Sequence, residues 1–226
     1  MLVKEWMAKD PIVIDENTSI MKATQMMKEH GIRRIPVVRD GRLIGIISDR
    51  DIKEAAPSKA TSLDVHELYY LLSEIKVKDI MTPDPITLKE NDSVEKAAVI
   101  MLENRISGIP VVDDDYHVIG VITQTDVFKV MISITGAYQS PIQIAFEMED
   151  SPGSLNRLLN QIREQAGRVV SVLTSHENMP EGKREVYVRL KDMPDEELNR
   201  LVENLKREFK ILFVIKEDLS NIPRKR

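Results

Sequence analysis

The chain has 226 residues, of which 42% are hydrophobic, enough to bury one or two cores. Charged residues make up 31%, the formal net charge is −5 and cysteine is absent, which excludes a disordered chain, a disulfide scaffold, a thiolate enzyme and a Cys-metal site. An acidic balance offers no basic face for nucleic acid, no apolar run approaches the ~20 residues of a membrane span, and the first residues lack an apolar signal region. A cytoplasmic protein with no nucleic-acid or membrane partner is expected.

Taken in order, the first half is written twice. Val3-Lys4-Glu5-Trp6-Met7 returns as Val77-Lys78-Asp79-Ile80-Met81, Asp10-Pro11-Ile12 as Asp84-Pro85-Ile86, and Ile35-Pro36-Val37-Val38 as Ile109-Pro110-Val111-Val112, all 74 residues apart. The second copy then gains one residue in the polar turn Asp113 to His117. From there Gly45-Ile46-Ile47-Ser48 meets Gly120-Val121-Ile122-Thr123 at an offset of 75. A hairpin turn is where such a length change is tolerated.

Each copy opens on a short extended piece, Ile12 to Ile14 and Ile86 to Leu88. A helix follows, capped by Thr18 or Ser19 in the first copy and by Asp92 or Ser93 in the second. Its apolar residues recur at helical spacing (Ile20, Ala23, Met27; Val94, Ala97, Ala98, Met101), and Gly31 stops the first one. Two strands come next, Ile35 to Val38 and Leu43 to Ser48, joined through Asp40-Gly41, a strong hairpin signal. A second helix starts at Ser48 or Asp49, and at Thr123 in the copy. Each unit therefore reads β-α-β-β-α. Pro57 to Thr61 is a linker, and Leu63, Leu68, Leu71, Leu72 and Ile75 share one side of a helix after it.

Beyond Gly136 the pattern changes. Ile142 to Met148 alternates as a half-buried strand, and Asp150-Ser151-Pro152-Gly153 turns the chain with Pro152 near the first helical position. Leu155, Leu158, Leu159 and Ile162 mark a helix, Val169 to Thr174 and Val186 to Leu190 are strands, Asp195 to Phe209 is a helix and Ile211 to Ile215 a last strand. The order β-α-β-β-α-β is that of a split βαβ unit.

The repeats resemble a pair of CBS domains, a Bateman module, through the Met-x-x-x-Pro start, the Ile-Pro-Val-Val strand and the ending Gly-apolar-apolar-Ser/Thr-x-x-Asp, each present twice. The C-terminal segment resembles an ACT domain through Asp150 to Leu155 and its strand order. The combination, with the run Val65 to Leu72 before the second copy, is similar to the acetoin-utilisation CBS–ACT accessory proteins. The resulting expectation is an α/β (α+β) chain. Its parts are a first repeat at 1–56, a linker with a helix at 57–76, a second repeat at 77–133 forming a pseudo-twofold pair with the first, a ferredoxin-like ACT domain at 138–218 and a tail at 219–226. The tail ends in Arg224-Lys225-Arg226, read as a solvated chain end.

Ser48 and Asp51, like Thr123 and Asp126, are spaced i, i+3 where a strand gives way to a helix. Amides and a hydroxyl there can meet an anion, and an acceptor-only carboxylate can take both hydroxyl protons of a ribose. The competing reading is a plain helix cap with a first-turn acid. The copies differ next to the proline strand, where Arg33-Arg34 in the first aligns with Ser107-Gly108 in the second. By the CBS resemblance, one nucleotide cleft joins Arg34, Ser48 and Asp51 to Ile86, Thr87, Ile106, Ser107 and Gly108. The other joins Thr123 and Asp126 to Ile12, Val13, Ile32 and Arg33. The ligand implied is an adenine nucleotide (AMP, ADP or ATP); the alternatives are a sensor of S-adenosylmethionine, an oligomerisation scaffold with unused clefts, or an accessory subunit of a metabolic enzyme. The ACT resemblance points to Asp150, Pro152 and Gly153 as a loop for dimerisation or for an amino acid. His30, His66, His117 and His176 have no metal-ligand spacing, and neither a zinc helix motif nor a phosphate loop occurs, so no metal, required cofactor or catalysis is expected. Trp6 and the methionines fit helix and strand interiors. The partners implied are a second copy of the chain, small ligands and a regulated enzyme.

Overall fold

The computed structural model describes residues 1–55, 72–219 and 222–223, and the chain divides into two units, Met1–Phe128 and Lys129–Arg226. The linker from Pro57 and the run Val65 to Leu71 lie outside the described residues, as does His66; Leu72 and Ile75 pack against the core of the first unit. Arg224 to Arg226 also lie outside.

In the first unit a 3-10 turn (Val3–Glu5) leads to β1 (Ala8–Lys9), β2 (Ile14–Asp15), α1 (Ile20–His30), β3 (Arg34–Arg39), β4 (Arg42–Ser48) and α2 (Asp49–Ala55). The second copy gives α3 (Val77–Ile80), β5 (Thr82–Pro83), α4 (Val94–Glu103), β6 (Gly108–Val112), β7 (Val118–Thr123) and α5 (Gln124–Thr135). Ser19 and Ser93 are the helix caps, each accepting a bond from the amide three residues on, and Gly31 ends α1 at φ 64. The Asp40-Gly41 turn has φ 50 and 79, both positive as a tight hairpin with right-handed twist requires. The opening strands are shorter than expected. Only Ile14 and Asp15 enter a ladder in the first copy, and in the second Leu88 makes a single parallel bridge to Val111. Pro11 and Pro85, which have no N–H to donate to a ladder, stand at the start of these stretches.

The copies exchange strands. β1, from the start of the first copy, pairs with β7, while β5, from the start of the second, pairs with β4, giving sheets β2-β3-β4-β5 and β1-β7-β6. The lead-in segments are traded in the same symmetric way: the Val3 amide bonds the Asp92 carbonyl and the Val77 amide bonds that of Thr18. Two glycines make room for the exchange. A Cβ on Gly45 would lie 2.4 Å from Met81 Sδ, and one on Gly120 would lie 2.4 Å from Met7 Sδ. Trp6 is half-buried at the end of the 3-10 turn, and Met21 and Met131 are exposed, so the expectation of wholly interior aromatic and methionine positions is met only in part; Met27, Met101 and Met148 are buried.

The second unit runs β8 (Ile142–Glu149), α6 (Ser154–Glu164), β9 (Val169–Ser175), β10 (Lys183–Leu190), α7 (Asp195–Leu205) and β11 (Lys210–Lys216). Its sheet is antiparallel in the order β11-β8-β10-β9, which is the split βαβ topology. Ile142, Ile144, Phe146 and Met148 of β8 pack with Leu158 and Ile162 of α6 and Leu198, Leu201 and Leu205 of α7 in one core, where Phe146 meets Phe209 edge-on at 6.2 Å. Two expectations are corrected. Pro152 is not at the first helical position, because Gly153, in the left-handed region at φ 84, is the cap and the helix begins at Ser154. The last helix stops at Leu205, and Lys206 to Glu208 form a turn that lets Phe209 fold back into the core.

Candidate functional site

Strand pairing places the motif residues. In the β3–β4 ladder Arg34 lies opposite Ser48, and in the β6–β7 ladder Gly108 lies opposite Thr123. Helices α2 and α5 start directly after Ser48 and Thr123, and the Asp49 and Gln124 amides bond the carbonyls of Arg33 and Ser107, the residues beside the Arg34 and Gly108 positions.

Both Ser/Thr–Asp pairs form the helix-capping arrangement. The Ser48 amide and Oγ both donate to Asp51 Oδ2 at 2.7 Å, and the Asp51 amide returns a bond to Ser48 Oγ at 3.4 Å. In the second copy the Thr123 amide and hydroxyl donate to Asp126 Oδ2 at 3.0 and 2.6 Å. The capping reading is thus realised in the geometry, and Asp51 Oδ1 takes part in none of these bonds. The acids differ in access: Asp51 is half-buried, whereas Asp126 is only 8% exposed.

Arg34 crosses from the first copy to the second. Its Nη2 donates to Ser107 Oγ, and its guanidinium occupies the space a Cβ on Gly108 would fill, with Nη1 1.9 Å from that position. Burial lowers its pKa, against the opposing pull of Asp49. Asp49 is held below the usual carboxylate range by Lys53 first, with Arg33 and Arg34 contributing.

A cleft of about 510 Å³ is lined by Arg34, Ser48 and Asp51 of the first copy and by Ile86, Ile106, Ser107 and Gly108 of the second. Thr87, expected beside Ile86, is not on its wall; its neighbour Leu88 turns into the sheet. The cleft also takes in Asp49, Arg50, Thr82, Asp84 and Arg105, which sequence reasoning missed. Arg105 aligns with the helix-ending Gly31 and shares its left-handed backbone (φ 53 against 64), while Asp84 (φ 45) belongs to the repeated Asp-Pro start, so a comparison of the copies could have found both. Thr82 enters only through the strand exchange, which leaves no local signal. The second set is not gathered on this wall: Thr123 and Asp126 make their capping pair, Val13 is 38% exposed, Ile12 and Ile32 are half-buried, and Arg33 is exposed.

In the second unit a cavity of about 630 Å³ is lined by Pro152 and Gly153 together with Glu147, Arg157, Lys183 and Lys210; Asp150 is not on its wall but bonds His176 at 3.0 Å and lies 3.4 Å from Arg184. Glu147 accepts bonds from Lys183 and Lys210, which hold its pKa below the usual value. His117 bonds Asp113, and no group of metal-ligating side chains occurs among the described residues.

A duplicated βαββα module with exchanged strands and a cleft walled by both copies is the class that this geometry defines. The CBS domain profile matches residues 3–58 and 77–133, and the chain belongs to the CBS domain family. A CBS domain-containing protein of Dictyostelium discoideum is 33% identical over 59% of this chain and 93% of its own length. The L-aspartate semialdehyde sulfurtransferase of Methanocaldococcus jannaschii is 36% identical over 57% of this chain, which spans only 23% of that enzyme. Among solved structures, the CBS domain pair of protein MJ0100 in complex with 5′-methylthioadenosine and S-adenosyl-L-methionine is 33% identical, covering 59% of this chain and 97% of the other at a TM-score of 0.50. Relatives that are enzymes carry the CBS pair as a fraction of a larger chain. No helix among the described residues is long and apolar enough to cross a membrane.

Proposed function

We propose that the chain is a regulatory protein without catalysis of its own, whose CBS pair binds an adenine nucleotide between the repeats. The cleft carries this reading, because it brings together a half-buried acid, Asp51, whose Oδ1 makes none of the capping bonds, with Arg34 and the apolar Ile86 and Ile106. The carboxylate suits a ribose diol, the guanidinium a phosphate, and the isoleucines an adenine face. The adenosine-bearing ligands of the similar CBS pair support the base and sugar half of this assignment. They also favour a second reading, S-adenosylmethionine, whose sulfonium would approach the cationic Arg34 unfavourably.

The C-terminal unit resembles an ACT domain in topology and in its Asp-Ser-Pro-Gly loop, and we assign it a role in dimerisation or in sensing a second ligand such as an amino acid. Nucleotide binding would act by population shift, favouring one arrangement of the repeats and so biasing self-association or the surface offered to a regulated enzyme. Isothermal titration with AMP, ADP, ATP, S-adenosylmethionine and amino acids tests the whole reading. Saturable binding of a phosphorylated adenosine is expected; tighter binding of S-adenosylmethionine would move the assignment to the second reading, and no heat from any adenosine compound would overturn both.

A further inference from the structure

Arg34 and Gly108 are the same position in the two copies, 74 residues apart, and the structure brings them face to face. Residues directly opposite on an antiparallel pair project to the same side, with Cβ positions roughly 5 Å apart. Arg34 is rooted opposite Ser48, the capping hydroxyl of the first cleft. Its guanidinium ends in the space of the missing Gly108 side chain, which is opposite Thr123, the capping hydroxyl of the second copy, where the sequence places the other cleft. One arginine therefore spans the junction of the two copies, and a second arginine at position 108 would collide with it. The other cations at the first cleft have no counterparts: Arg50 aligns with Thr125 and Arg105 with Gly31.

We propose that Arg34 is a phosphate-binding cation shared by both clefts, so that the CBS pair binds one phosphorylated nucleotide at a time while an uncharged nucleoside can fill both clefts. The inference rests on the nucleotide reading above. A guanidinium hydrogen-bonded to one phosphate is withdrawn from the other cleft, which makes the second anion pay the loss of a charge-assisted contact.

The test is a titration of the full chain with AMP and adenosine, in the native protein, in Asp51→Ala and in Asp51→Ala with Arg34→Ala. The native chain should take one AMP tightly and adenosine at two sites. Disabling the first cleft through Asp51 should leave one AMP site, and removing Arg34 in that background should weaken it about tenfold or more while leaving adenosine unchanged. AMP binding in the Asp51→Ala background that is indifferent to Arg34 would overturn the proposal, the second cleft then meeting phosphate through its own Arg33. Equal loss of AMP and adenosine would also overturn it, making Arg34 a packing residue. If Asp51→Ala does not fold, Asp51→Asn, which keeps the capping acceptor, serves in its place with the same expectations. Failure of the native chain to bind either compound would instead remove the nucleotide reading, and this inference with it.

Discussion

At the scale of single residues, each acid caps a helix start, and on the nucleotide reading proposed above it would also meet the ligand; the copies differ in how open the acid is. Asp126 is nearly enclosed, so its removal leaves the Thr123 amide and hydroxyl without their acceptor in a buried setting, at a loss of about 1–3 kcal/mol. Asp51 is more open and lies on the cleft wall beside Arg34. Asp51→Ala should therefore weaken AMP binding about ten- to a hundredfold and more than Asp126→Ala does, while Asp126→Ala should lower the melting temperature more. Calorimetric titration and thermal melts of the two variants check this crossed pattern, and equal effects on affinity would dissolve the asymmetry. Arg34→Ala should lose AMP with adenosine nearly unchanged, since only the phosphate gains from the guanidinium. The capping pairs were legible from Ser48-x-x-Asp51 and its copy because spacing alone fixes which side chains share a helical turn. Arg105 was legible only by setting the two copies side by side, since it stands in a left-handed turn where the first copy has glycine and composition gives no warning of that.

At the scale of elements, local chemistry specified the hairpin and the caps. Asp40-Gly41 takes the two positive φ values its turn demands, and Ser19 and Ser93 cap as their side-chain oxygens allow. The strand exchange was not legible: β1 and β5 have two residues each, too short for a period, and their partners lie in the other copy. Gly45→Ala probes that crossing. A methyl at 2.4 Å from Met81 Sδ and 3.1 Å from the Thr82 carbonyl must push the exchanged strand, and a destabilisation of about 1–3 kcal/mol is expected in denaturant melts. Because the sulfur is the end of a flexible side chain and the carbonyl is backbone, adding Met81→Ala should recover only part of it. In the other unit Glu147 ties β8 to β10 and β11 through Lys183 and Lys210. Its folded pKa is depressed from the ordinary 4.5, so the stability it contributes is complete above that value and is lost as pH falls through the lower folded pKa. Glu147→Gln should flatten the acid limb of the stability profile below pH 4.5 and, by removing the partner that raises the Lys183 pKa, the alkaline limb above 10.5 as well, leaving the shape near neutral pH unchanged.

At the scale of the whole molecule, the surface predicts self-association. The alternation of Ile142 to Met148 does not tell a central strand from an edge one; in the sheet β8 is central, and β9 and β11 are the edges. Sheet order depends on tertiary pairing and is invisible to the period of any one strand. Along the edge strand β11, Leu212, Phe213, Val214 and Ile215 are all 38–41% exposed, a row of apolar side chains beside unpaired backbone groups. On the helices, Leu102 of α4 is 75% exposed and Val99 58%, while Phe128 and Met131 of α5 are 58% and 53%, each pair one turn apart and on a single face. Exposed apolar groups at such spacing mark interfaces more often than chance decoration, and closed twofold symmetry is the commonest way of covering them. Light scattering at low micromolar concentration should give about twice the 25.8 kDa chain mass. Leu102→Glu combined with Phe128→Glu, at positions so exposed that a monomer would tolerate them, should shift the mass toward one chain without lowering helical content, if the helices carry the contact. Leu212→Lys combined with Val214→Lys should do so if the sheet edge does. A native chain that scatters as a monomer would defeat the dimer and any regulation that works through it.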